Sequence, residues 1–182
     1  VIGWDPRDPE GDLLWRARVR RLKAEQIRDA MLTATGEYQP VLGGPSVAST
    51  TPRRSLYIKL YRNTPDEFLH AFDMAGGLKS IGSRIATTTP TQSLLMINGR
   101  YALARAEALA QRILADGPST STDLVRAAFR HAWCRPPREE ELAQPLGRLE
   151  CTAASDPASI DRTKLNDLCH VLLNANEFLY VD

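Results

Sequence analysis

Stretches of helically spaced apolar residues, most with a start or stop signal of their own, recur along this 182-residue chain and restrict it to a multi-helix fold. The clearest lies at 121–134, where Leu124, Val125, Ala128, Phe129, Ala132 and Trp133 make one stripe. From Leu14 to Thr35 the residues Trp15, Val19, Leu22, Ile27, Ala30, Met31 and Ala34 follow the same spacing, and Gly36 suits a C-cap. Thr89-Pro90-Thr91-Gln92 is a capping box with proline at the first helical position. The helix it opens is interrupted at Asn98-Gly99 before a second segment runs to Ala115. Thr64-Pro65-Asp66-Glu67 repeats the device ahead of Phe68, Leu69 and Phe72. Residues 138–153 begin with Glu139, Glu140 and Glu141, which suit a positive helix end, and Pro145 predicts a kink or delay there. Residues 161–179 bring Leu165, Leu168, Leu172 and Leu179 to one face.

One stretch changes period. Between Ser55 and Arg62, Leu56, Ile58 and Leu60 alternate with Tyr57, Lys59 and Tyr61, which predicts a strand. A lone strand is unstable, so the β-branched stretch Ile85–Thr89 is its expected partner. The Gly, Pro, Ser and Thr cluster of 37–54 reads as a long surface loop. The fold class expected is mainly α, a multi-helix domain with a small two-stranded β element. The length suits one domain, 1–182, in which 1–12 form an irregular lead-in. Because the chain opens on Val1, it is expected to be a fragment of a longer protein.

A net charge of +1 argues against a protein that grips phosphate backbones. The local excess of Arg16, Arg18, Arg20, Arg21, Lys23 and Arg28 reads as a solvated helix face, with Glu25 and Asp29 as its counter-charges. No apolar run approaches the roughly 20 residues of a membrane span. Cys134, Cys151 and Cys169 are an odd number without close pairing, so they do not form a disulfide framework.

The spacings that carry chemistry are thin. His131 and Cys134 stand three apart and Cys169 adjoins His170, but adjacent residues on a helix diverge by about 100°. Cys169 also falls on an apolar stripe, where a thiol behaves as a small hydrophobe, and no metal site is expected. There is no Gly-x-Ser-x-Gly elbow, and Gly43-Gly44 leads into proline and a polar loop rather than a phosphate-binding helix. Tyr57 and Tyr61 flank Lys59 on one strand face, where rings either stack on sugars or cover a helix. Carboxylates such as Asp73 with Glu25 or Glu177 are available for glycoside hydrolysis, a reaction decided by a separation that sequence does not set.

Several strings carry a family resemblance. They include Arg20-Arg21-Leu22 with Ile27-Arg28-Asp29-Ala30-Met31-Leu32, Gly43-Gly44-Pro45-Ser46-Val47, and Arg53-Arg54-Ser55-Leu56-Tyr57. Arg62-Asn63, Phe68-Leu69, Phe72-Asp73, Thr87-Thr88-Thr89-Pro90 and Gln92-Ser93-Leu94 continue the series. The most specific is the terminal run Leu172-Leu173-Asn174-Ala175-Asn176-Glu177-Phe178-Leu179-Tyr180-Val181-Asp182. Together, from about Asp8 to Asp182, they resemble the C-terminal domain of unknown function of planctomycete cytochrome-c-like proteins. The resemblance implies the end of a large, exported (periplasmic or beyond) protein that carries a haem-c module upstream. Lys23, where that family favours an acidic residue, and Arg138, where it favours a capping Ser or Thr, are departures confined to helix surfaces. No Cys-x-x-Cys-His occurs, so no cofactor is expected within these residues.

The role expected is a binding or interaction module for an unknown ligand, with an enzyme domain acting on polysaccharide as the alternative. Expected partners are the other domains of the parent protein, a haem-c module among them, and a carbohydrate ligand. Nucleic acid and a membrane span are not expected. Arg28, Arg54, Asp73, Arg84, Gln92, Asn98, Asn176 and Glu177 are the candidate ligand-binding residues. They are expected to gather around the strand pair and the helix start at Pro90, as a ligand site or as a buried network that fixes the loop.

Overall fold

The computed structural model describes residues 19–61, 63–74, 87–149 and 161–181. Along the chain these form β1 (Arg20–Arg21), α1 (Ala24–Thr35), a 3-10 turn (Ser55–Tyr57), α2 (Glu67–Ala71), α3 (Pro90–Asn98) and α4 (Arg100–Ala115). There follow α5 (Ser121–Trp133), α6 (Glu139–Leu149), α7 (Arg162–Asn174), α8 (Asn176–Leu179) and β2 (Tyr180–Val181). Among the described residues the protein is mainly helical with one two-stranded antiparallel sheet, as the sequence pattern predicts.

Helix α4 is the hub, packed against α7, α1, α3 and α5. Ile27 and Met31 of α1, Leu109 and Ile113 of α4, Leu124 of α5 and Leu165 of α7 meet in one hydrophobic cluster. The α5 stripe is buried as its spacing requires, and Trp133 at its end donates Nε1–H to Leu172 O at 3.1 Å. No helix among the described residues is long and apolar enough to cross a membrane.

The sheet is not where the alternating pattern put it. Arg20 lies opposite Val181 and Arg21 opposite Tyr180, and Leu22 N–H reaches Leu179 O at 2.8 Å. Helix α1 consequently starts at Ala24, although helical spacing extends upstream into residues whose chain is drawn into pairing with β2. The expected 161–179 helix breaks at Ala175, whose extended backbone turns the chain through α8 toward that pairing. Of the expected strand Ser55–Arg62, residues 55–61 form none and residue 62 lies outside the described residues. Asp29 accepts both Ser55 N–H (2.8 Å) and Ser55 Oγ–H (2.6 Å), and the chain bends there into the 3-10 turn. Ile58 turns inward at 7% exposure and bridges Val47, while Leu56 and Leu60 point out. Of the expected partner, residues 85 and 86 lie outside the described residues and 87–89 are irregular.

The caps follow the sequence more closely. Pro90 opens α3, and Gln92 reaches back to Thr89 N–H at 3.3 Å. Before α2 the cap is Asp66 rather than Thr64, with its carboxylate accepting Leu69 N–H at 3.0 Å. Helix α6 runs through Pro145 to Leu149. The lead-in 1–12 lies outside the described residues.

Candidate functional site

Arg28 is 2% exposed on the inner face of α1. Its Nη1 donates to Arg53 O (2.8 Å) and Ser55 Oγ (3.2 Å), and its Nη2 to Ser49 O and Thr51 O (2.8 Å each). A planar fork with fixed donors suits such a set of backbone acceptors, which a lysine could not span. Arg53, also buried, repeats the arrangement one loop further on, donating to the carbonyls of Val41, Gly43 and Pro45 and lying over the Tyr57 ring at 4.4 Å. The long polar loop is thus held by two guanidiniums that turn its carbonyls inward.

A cleft of about 380 Å³ opens beside Arg28. Its walls are α1 with Arg28 and Leu32, the loop at Ser49 and Thr50, the start of α2 with Asp66, Glu67 and Phe68, and the α3–α4 junction with Leu95, Gly99, Arg100, Tyr101 and Arg105. Gly99 is tight here, because a Cβ on it would meet Leu95 O at 2.2 Å. The Phe68 and Tyr101 rings touch with centroids 4.8 Å apart. Burial pushes the Tyr101 phenol up to about 12 against the pull of Arg28 and Arg105, and its hydroxyl has no hydrogen-bond partner among the described residues. Arg105 is engaged by Glu37, and Asp66 by its capping bond, which leaves Glu67 and Arg100 as the exposed charges of the cleft, next in sequence to the touching Phe68 and Tyr101.

The other candidates fall into separate places. Gln92, 1% exposed, donates to Ala71 O (3.0 Å) and Asp73 Oδ2 (3.4 Å) and accepts from Arg21 Nη1. Asp73, at a left-handed φ of 61° that ends α2, accepts Thr87 N–H at 2.7 Å and the Thr87 hydroxyl. Burial raises its carboxyl, but Thr87, Gln92 and Arg21 outweigh that and hold it below the usual range. Asp73 and Gln92 therefore meet at the start of α3, joined by Arg21, which lies in β1 and bonds Gln92 rather than standing on the solvated helix face its charge pattern predicts.

Arg28 lies in the other network, and Asn98 is exposed at the far end of α3. Arg54 points to solvent, and Arg84 lies outside the described residues. Asn176 and Glu177 border a hollow of about 540 Å³ with Val19, Arg138 and Tyr180. There Arg135 bridges Glu177 and Glu141 and lies 5.0 Å from the Trp133 ring. His131 Nε2 sits 2.7 Å from Asp116 and His170 Nε2 sits 2.8 Å from Met96 O, so the two histidines face different partners. Of the cleft's own residues, sequence reasoning singled out only Arg28. Asn98-Gly99 was legible as a helix break, and a break between two packed helices is where a cleft can open.

A family model described as PSD1, protein of unknown function (DUF1553), matches residues 4–147. No curated protein and no solved structure matches the chain.

Proposed function

The chain belongs to the PSD1 family of proteins of unknown function (DUF1553), and from that premise we propose that it is a binding module whose ligand, a sugar unit, enters the cleft between α1, α2 and the α3–α4 junction. The observation that carries this reading is the lining of that cleft. It sets the half-buried Tyr101 ring, backed by the buried Phe68, in one cleft with an exposed carboxylate, Glu67, and an exposed guanidinium, Arg100. Sugar hydroxyls both donate and accept, so a cleft that offers one carboxylate and one guanidinium suits them, and the apolar face of a sugar ring packs on the accessible part of the Tyr101 ring. Arg28 shapes the floor through its backbone clamp instead of offering a free charge.

The alternative, an enzyme acting on polysaccharide, needs two carboxyl groups facing each other across the substrate. The two that line this cleft, Asp66 and Glu67, are consecutive on one wall, and Asp66 is spent on its helix cap. The resemblance of the strings quoted above supports a wider setting. In that setting the module belongs to an exported planctomycete cytochrome-c-like protein and positions a ligand or partner for a haem-c module of the same chain.

A thermal-shift series against neutral and sulfated oligosaccharides tests the reading. At a ligand concentration a hundredfold above Kd, binding to the folded state adds about 2.7 kcal/mol and raises the midpoint. The rise should shrink in Glu67→Gln and in Arg100→Ala, both exposed and outside the buried networks. No shift with any saccharide, or a shift indifferent to both substitutions, would refute it.

A further inference from the structure

From Tyr38 to Tyr61 the chain carries no acidic residue, and its charges are Arg53, Arg54 and Lys59. Val41, Leu42, Leu56, Leu60 and Tyr61 are all exposed here, Leu42 at 80% and Leu56 at 75%. A loop that long would ordinarily turn its carbonyls to water and its apolar groups inward. Here the order is reversed. Arg28 and Arg53 gather the carbonyls of Val41, Gly43, Pro45, Ser49, Thr51 and Arg53. Asp29 pins Ser55 at its turn, and Tyr57 Oη accepts Gly43 N–H at 2.9 Å, which ties Leu42's stretch to Leu56's. The leucines are thus presented outward on a braced scaffold rather than on a slack loop. Beyond them a hollow of about 30 Å³ is lined by Leu60, Tyr61, Leu69 and Met74 together with Asp66 and His70.

We infer that this 41–61 surface is a preformed docking face for a segment of a partner protein in which apolar side chains alternate with Asp or Glu. Rigid presentation lowers the ordering cost of association, and exposed apolar groups beside charges of one sign mark such faces. Charge complementarity selects an acidic partner: Arg54 and Lys59 are the exposed cations, and the carboxylates that reach this stretch, Asp29 and Asp66, are engaged by Arg28 with Ser55 and by Leu69 N–H. Two exposed cations are too few to hold an anionic bilayer, which takes a polybasic cluster. Ser49 and Thr50 of this stretch line the cleft, but Val41, Leu42, Leu56, Leu60 and Tyr61 do not, so the inference stands whether or not the cleft binds sugar.

The probe is a randomised peptide library selected on the immobilised domain. Enriched peptides should pair Asp or Glu with Leu, Phe or Trp, and added salt should weaken them. Binding measured by fluorescence anisotropy should fall more than about tenfold for Leu42→Asp with Leu56→Asp. Both side chains are exposed, so that variant should keep the wild-type circular dichroism spectrum and melting temperature. Enrichment of basic peptides, no enrichment, or undiminished binding to the double variant would overturn the inference. So would retention on phosphatidylserine vesicles lost in the same variant while no peptide binds, since that outcome assigns the face to a membrane.

Discussion

Replacing Arg28 by methionine keeps most of the side-chain volume and removes the four donor contacts that hold the 49–55 loop to α1. Arg53 O and Ser55 Oγ are buried with the guanidinium. An unmet buried acceptor costs about 1–3 kcal/mol, which falls on Arg53 O, because Ser55 Oγ keeps its bond to Asp29. The Ser49 and Thr51 carbonyls are only partly buried, water can reach them, and their share is small. The guanidinium also lies 3.5 Å from Asp29, and removing one member of a buried charged network costs about 3–5 kcal/mol in all. Each kcal/mol moves the midpoint of a domain this size by about 2–4 °C, which gives a fall of about 6–20 °C. Urea unfolding supplies the free energy, with the slope checked for two-state behaviour. Arg54→Ala is the control, because its exposed side chain should cost no more than about 0.5 kcal/mol. Should Arg28→Met lie within about 1 kcal/mol of wild type, or fall no further than Arg54→Ala, the backbone clamp does not brace the loop.

Three further substitutions probe other parts of the fold. Gly99→Ala should cost about 1–3 kcal/mol by forcing its Cβ against Leu95 O, whereas Gly147→Ala, with open space in α6, should gain about 0.5–1 kcal/mol; chemical denaturation separates them. Hydrogen bonds from Arg135 hold Glu141 down at about 2, and such a carboxyl contributes stability above its unfolded value near 4.5 and loses it as pH falls toward 2. Glu141→Gln should therefore flatten the melting-temperature profile across that interval, and an unchanged acid limb would count against the bridge. Burial pushes the Cys169 thiol up to about 12 while Cys134 is exposed, so iodoacetamide should label Cys134 in the native protein and Cys169 only after unfolding, read by peptide mass spectrometry.

Local signals in the sequence were decided by neighbours close along the chain, and these carried through. The α5 stripe, the Thr89–Gln92 cap, the break at Gly99 and the left-handed Gly36 all depend on residues within about a turn of one another. Helix class followed from them. The Leu56–Ile58–Leu60 alternation misled because an alternating pattern states which side chains face alike only if the backbone stays extended. Asp29, in α1, bends it at Ser55.

The candidate residues show the same division. Sequence alone marked Arg28, Asp73 and Gln92 as polar groups in need of partners, but the identity of those partners was set by packing. Arg28 found carbonyls of a loop more than twenty residues away, and Gln92 found Arg21 at a separation of 71. The strand at Arg20–Arg21 exists only because Tyr180–Val181, at the other end of the chain, lies beside it. Helical hydrogen bonds close within four residues and can be read from a local window. Sheet pairing, a buried guanidinium's acceptors and the walls of a cleft join segments far apart in sequence, and only the folded chain brings them within reach.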